Sequence, residues 1–164
     1  MTIEQVDRFS FGGKITQIIE MAREAVKRVI AELNDPKEQG GYFCLVVKNE
    51  NPTALPTLIL GIGNVPAERG QKYLELAQEK ARRLAEHPDH WSSWQSRNPD
   101  EGKWGGAVNA GAYIFSFSGL PELADEAAML LTALSLGFLL EERAAAFAQY
   151  SGNELFYKMM ATPD

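Results

Sequence analysis

Cysteine is nearly absent from this chain. The single residue of that type, Cys44, permits no internal disulfide and no cysteine-based zinc site. It lies in Tyr42-Phe43-Cys44-Leu45-Val46-Val47, where a small buried hydrophobe is expected. A reactive thiol needs electropositive, accessible surroundings, and these neighbours supply none. Histidine is scarce as well. His87 and His90 are the only two, too few for a structural metal site, and Pro88 between them disfavours a helix. Bases are outnumbered, with 16 Lys and Arg against 22 Asp and Glu, a net charge of −6. The broad positive footprint of duplex nucleic-acid binding is therefore missing, and no nucleic-acid partner is expected. Long apolar runs are missing too. The longest, Ala127 to Leu140, is interrupted by Thr132, Ser135 and Gly137 and is too short to span a bilayer. Met1 to Phe11 holds no cationic stretch followed by an apolar one, so no secretory leader is read. A cytoplasmic location without a membrane partner is the expectation.

What is present reads as one globular unit over residues 1–164. The length suits one domain, and 45% hydrophobic against 23% charged residues is an ordinary globular balance. Residues 1–13, ending in Ser10-Phe11-Gly12-Gly13, read as a flexible N-terminal lead-in, 14–137 as the core and 138–164 as a helical tail. Ile15, Ile18, Ile19, Ala22, Val26, Val29, Ile30 and Leu33 recur at spacings of three and four, which predicts an amphipathic helix stopped by Asn34-Asp35-Pro36. Tyr42 to Val47 and Leu58 to Gly63 read as strands, joined by a connection too short for a helical crossover and so antiparallel. A second helix runs from Pro66 to about Glu86. Its apolar stripe is Tyr73, Leu74, Ala77, Ala81, Leu84 and Ala85, and Lys72, Lys80, Arg82 and Arg83 are assigned to its wet side.

Residues 87–104 carry no period, and a loop of that length in a small domain is uncommon. All three tryptophans, Trp91, Trp94 and Trp104, fall in or beside it. A strand after Gly105-Gly106 and a tight turn at Asn109-Ala110-Gly111 follow. Then Tyr113, Phe115 and Phe117 alternate with Ile114, Ser116 and Ser118, giving a strand with one aromatic and one smaller, more polar face. Ser118 is placed to cap the next helix, with Pro121 in its first turn and Glu122, Asp125 and Glu126 favouring its positive end. That helix is apolar all round from Ala127 to Leu134, so a core or a subunit interface must cover it. Two short helices, Glu141–Tyr150 and Glu154–Met160, end the chain. The fold class is α+β: a single largely antiparallel sheet with helices packed against it, in the order α-β-β-α-β-β-α plus a helical tail.

The segment Gly105-Gly106, followed through a strand by Ser116-Phe117-Ser118-Gly119-Leu120-Pro121-Glu122-Leu123-Ala124-Asp125-Glu126, resembles the GlcG/HbpS-like family of haem-degrading or haem-binding domains. The shared features are the glycine pair, a strand ending in Ser-Gly, and an Asp-Glu pair early in the last helix. The resemblance covers roughly residues 14–137. It departs from the family at Lys48 and the Pro-containing loop after it, in the His/Trp-rich loop and in the tail. It implies a profilin-like fold and haem as a ligand, without fixing any cofactor.

The candidate ligand-binding residues are Trp104, Gly105, Gly106, Ser116, Ser118, Gly119, Glu122, Trp91, Trp94 and His90. Each has two readings. The glycines either offer backbone N–H groups to an anion or make turns. The tryptophans either wall a flat ligand or pin the long loop. His90 either ligates, with Met159, Met160 or a tyrosine as partner on a haem iron, or is solvated. No serine triad can be assembled, and for the acids early in the last helix capping is explanation enough. A small-ligand-binding module for haem or another flat or anionic ligand is expected, without catalysis. An oligomerising or partner-binding protein is the alternative, motivated by the apolar helix and by Phe147, Tyr150, Phe156 and Tyr157. Self-association as a dimer or larger is expected in both.

Overall fold

In a computed structural model, which describes residues 11–49 and 51–162, the elements follow the expected order. Helix α1 spans Phe11–Leu33, strand β1 Gly40–Val47, strand β2 Leu58–Gly63, helix α2 Ala67–Ala85, strand β3 Ala107–Ala110 and strand β4 Tyr113–Ser118. Helices α3 (Glu122–Ser135), α4 (Glu141–Ser151) and α5 (Glu154–Ala161) follow. Phe11, Gly12 and Gly13 of the expected lead-in already belong to α1, and the rest of it, 1–10, lies outside the described residues.

The four strands form one open antiparallel sheet in the order β2-β1-β4-β3. The two apolar strands, β1 and β4, take the centre, where both neighbours satisfy their backbone groups. The β3–β4 turn differs from expectation. Asn109 and Ala110 stay paired with Ile114 and Tyr113, and the chain reverses at Gly111-Ala112, with Gly111 at φ +62°.

Period-two alternation in β4 sorts the layers. Phe115 and Phe117, with Phe43 and Leu45 of β1, face α1 and α3 in the larger core. Ile114, with Cys44 and Val46 of β1, faces α2 in a smaller one. Cys44 is fully buried there, and burial pushes its thiol up to about 12, which leaves it inert as a nucleophile. The apolar circumference of α3 is covered by the chain itself, since every residue from Ala124 to Ala133 is buried against the sheet, α1, α4 and α5. The tail is part of that core: Phe147, Ala148, Phe156 and Met159 pack into the same cluster as α1 and β4. Tyr150 and Tyr157 remain exposed. Among the described residues, no helix is long and apolar enough to cross a membrane.

Candidate functional site

The junction of β4 with α3 is built on close backbone approach. Gly119 has φ +148°, and a Cβ there would stand 2.3 Å from the Gly40 carbonyl oxygen, so only glycine fits between the β1 and β4 chains. Ser118 is not the cap expected of it. Pro121 occupies the cap position without a side-chain bond, and the Leu120 N–H donates instead to Asp125 Oδ1 at 3.0 Å.

The three acids of the first two turns of α3 each hold a different part of the chain. Glu122 accepts from Arg97 Nε at 2.7 Å and from the Gly105 N–H at 2.9 Å. Asp125 Oδ2 accepts from Lys80 Nζ at 2.9 Å. Glu126, fully buried, accepts from the Ser92 hydroxyl at 2.8 Å, from Asn153 Nδ2 at 2.8 Å and from the Ser151 hydroxyl. Capping alone was too small a role for them. Burial raises both Asp125, to about 7, and Glu126. Lys80 opposes the rise at Asp125, and the Ser151, Asn153 and Ser92 donors oppose it at Glu126.

Two cations assigned to the wet side of α2 are buried. Lys80, 1% exposed, also donates to the Phe117 carbonyl at 2.9 Å. Gly106, at φ +126°, leaves room for it, because a Cβ there would lie 2.8 Å from Lys80 Nζ and 2.9 Å from the Phe117 carbonyl oxygen. Arg83 donates to the Ser93 carbonyl at 2.8 Å and to the Ser96 hydroxyl and the Trp104 carbonyl, while Glu79 holds its Nε at 2.8 Å. It fastens both ends of the tryptophan loop, which itself winds into 3-10 turns at Ser93–Ser96 and Pro99–Glu101. A signal for Lys80 exists in the sequence. It stands three residues after Ala77 and four before Leu84, inside the arc of the apolar stripe.

Between α2 and the start of α3 lies a cleft of about 400 Å³. Trp104, Ser118, Gly119 and Glu122 line it together, joined by Lys72, Tyr73 and Leu76 of α2, which sequence reasoning left out. Gly105 and Gly106 are buried behind this wall, and Trp94 packs edge-on to Gly105, where a Cβ would meet its ring at 2.8 Å. Arg97 lies over Trp94, 4.7 Å from the ring centroid, and 5.7 Å from that of Trp104. Glu122 and Asp125 are satisfied by protein donors. Ser118 is 3% exposed and lines the cleft, and no hydrogen bond holds its hydroxyl among the described residues.

Three candidates lie elsewhere. Ser116 donates to the Ala77 carbonyl at 2.7 Å beneath α2 and is fully buried, so it is structural. His90 and Trp91 line a different cleft, at the β3–β4 turn, the far end of β4 from Ser118. The ten residues therefore do not form one site. Period and spacing could not reveal this, because the loop carrying Trp91 and Trp104 runs from one end of the sheet to the other.

No group of three or more His, Cys, Asp or Glu side chains able to hold a metal occurs among the described residues. For a haem, the cleft beside α3 offers aromatic walls at Trp104 and Tyr73 and a rim cation at Lys72. No His, Met or Cys stands among its described lining residues, and Tyr73 is its phenol donor for iron. The flat anionic body of such a ligand fits the lining better than its metal does. Compared with known proteins, the chain matches no family model, no curated protein and no solved structure.

Proposed function

We propose that this chain is a ligand-binding module of the GlcG/HbpS-like, profilin-like type, holding a flat organic anion in the cleft between α2 and α3. The observation that carries this reading is Ser118, whose hydroxyl no protein group holds among the described residues and which lines the cleft beside the start of α3, together with Trp104 and Tyr73 and with Lys72 at the rim. An anion there gains the Lys72 charge, the Ser118 hydroxyl and the positive end of α3. Its flat body gains contact with Trp104 and Tyr73. Haem belongs to the class, and so does an iron-free porphyrin. No base, nucleophile and orienting group stand together there, so the reading includes no catalysis. It includes a cytoplasmic location and self-association.

The test is a titration with hemin and, separately, with protoporphyrin IX, under oxidising and reducing conditions. Both should give saturable absorption changes at one per chain, weakened about tenfold in Lys72→Ala, the size of one charge-assisted contact. If neither gives a saturable change, the reading fails. A second reading, a protein whose task is to bind copies or partners, rests on exposed Tyr150, Tyr157 and Met160 on α4 and α5. Light scattering decides it: a strict monomer counts against self-association.

A further inference from the structure

The cleft at the β3–β4 turn, about 410 Å³, has a chemistry of its own. Its polar lining is Lys48, Arg143, His90 and Asn109, and among the described residues no Asp or Glu lines it, although acids outnumber bases over the whole chain. Its apolar lining includes Trp91, Phe138, Leu140 and Phe147.

Neither cation is paired with a carboxylate among the described residues. Lys48 Nζ donates to Asn109 Oδ1 at 3.0 Å, an amide oxygen without charge. Burial lowers the Lys48 pKa, the mark of an ammonium losing water without gaining a carboxylate. Arg143 lies over the Trp91 ring, 5.8 Å from its centroid, and none of the ion pairs among the described residues involves it. His90 Nδ1 is buried without any hydrogen-bond partner.

The walls are fixed before anything binds. Trp91 stacks on Phe147, ring centroids 5.3 Å apart, and Phe138 stacks on Tyr113 at 5.2 Å. The Asn109 side chain donates to the His90 carbonyl at 2.7 Å, and the Asn109 N–H to the Trp91 carbonyl at 2.9 Å. The loop is thereby tied to β3, and a ligand entering finds an ordered surface, which lowers the cost of binding.

We infer that this cleft is a second, separate binding site for a small aromatic carboxylate, whose carboxylate lies at Lys48 and Arg143 and whose ring lies against Trp91 and Phe138. Two cations at a rim select an anion. Stacked aromatic walls select a flat apolar body over an inorganic ion. The inference is independent of the ligand proposed for the cleft beside α3.

The probe is 2-naphthoate, with neutral 2-naphthamide as its control, added to the full ¹⁵N-labelled chain. Saturable shifts of the Trp91 indole N–H and the Asn109 side-chain amide are expected, with the amide probe binding at least about tenfold more weakly. Lys48→Ala and Arg143→Ala, both at exposed positions, should each weaken naphthoate about tenfold while the rest of the spectrum stays that of the folded chain. Equal binding of the two probes, shifts confined to Trp104, or no shift at the solubility limit would each overturn the inference.

Discussion

Lys80 and Asp125 meet at 2.9 Å although their helices lie on opposite faces of the sheet. The ammonium comes from α2, the carboxylate from α3, and Gly106 leaves the gap through which they touch. Both side chains are 2% exposed or less. The pair thus joins the two outer layers at the end of the sheet where the proposed ligand cleft opens.

Breaking the pair from one side strands a buried charge. Asp125→Ala, which strands the Lys80 ammonium, should cost about 3–5 kcal/mol, measured as the urea unfolding free energy; Lys80→Met should cost less, because the Asp125 carboxyl, already raised by burial, can take a proton. The double variant Lys80→Met/Asp125→Leu should recover most of that loss, because no buried charge is left. A double variant as unstable as Asp125→Ala would show that the pair is not what joins the layers.

The stability that Asp125 and Glu126 contribute should fall as pH rises from about 4 to about 8. Asp125, at about 7, and Glu126 are both raised by burial, so the folded chain binds more protons than the unfolded chain across that window. Their contribution is fully present below the unfolded carboxylate range and is lost as pH passes through the folded values. Urea midpoints at pH 4.5, 6 and 8 for the natural chain and for Asp125→Asn measure it. The pH-dependent difference between the two proteins should shrink toward low pH.

Two glycines with positive φ should respond differently to alanine. At Gly106, φ +126°, a Cβ would press on the Phe117 carbonyl, Asp125 and Lys80 at 2.8–2.9 Å. At Gly111, φ +62°, the nearest atom is the Phe138 carbonyl oxygen at 3.8 Å. Gly111→Ala should cost about 1 kcal/mol, the strain of a left-handed alanine, and Gly106→Ala several times more. Thermal unfolding of the two variants compares them directly.

Arg83→Ala should loosen the tryptophan loop without unfolding the sheet. It removes the donors to the Ser93 and Trp104 carbonyls and to Ser96. Amide exchange over residues 92–105 should accelerate, while Phe115 and Phe117 in β4 stay protected.

The layers were legible because periodicity reports burial. The alternation of Tyr113, Phe115 and Phe117 with Ile114, Ser116 and Ser118 separated the two faces of β4: Phe115 and Phe117 enter the larger core and Ile114 the smaller one, although α2 buries the second face as well. The apolar ring of α3 also announced its burial, and its cover comes from the sheet, α1, α4 and α5 of the same chain. The cleft beside α3 was legible in part. Ser118, Gly119 and Glu122 are local to one junction, and a junction can be read from its turn and capping residues. Lys80 and Arg83 were lost because a charge on a helix is ordinarily solvated, and it takes the distant Asp125 for Lys80, and the loop carbonyls together with Glu79 for Arg83, to compensate their burial. Sequence spacing also could not separate His90 and Trp91 from Trp104, since the loop that joins them crosses the sheet.

The central claim is that a flat organic anion occupies the cleft between α2 and α3. The most direct measurement is a ¹⁵N chemical-shift map of the chain saturated with protoporphyrin IX. The account predicts shifts at the Trp104 indole N–H, Gly119 and Leu120, with Ser116 unmoved beneath α2. A map without shifts at Trp104 and Gly119 would contradict it.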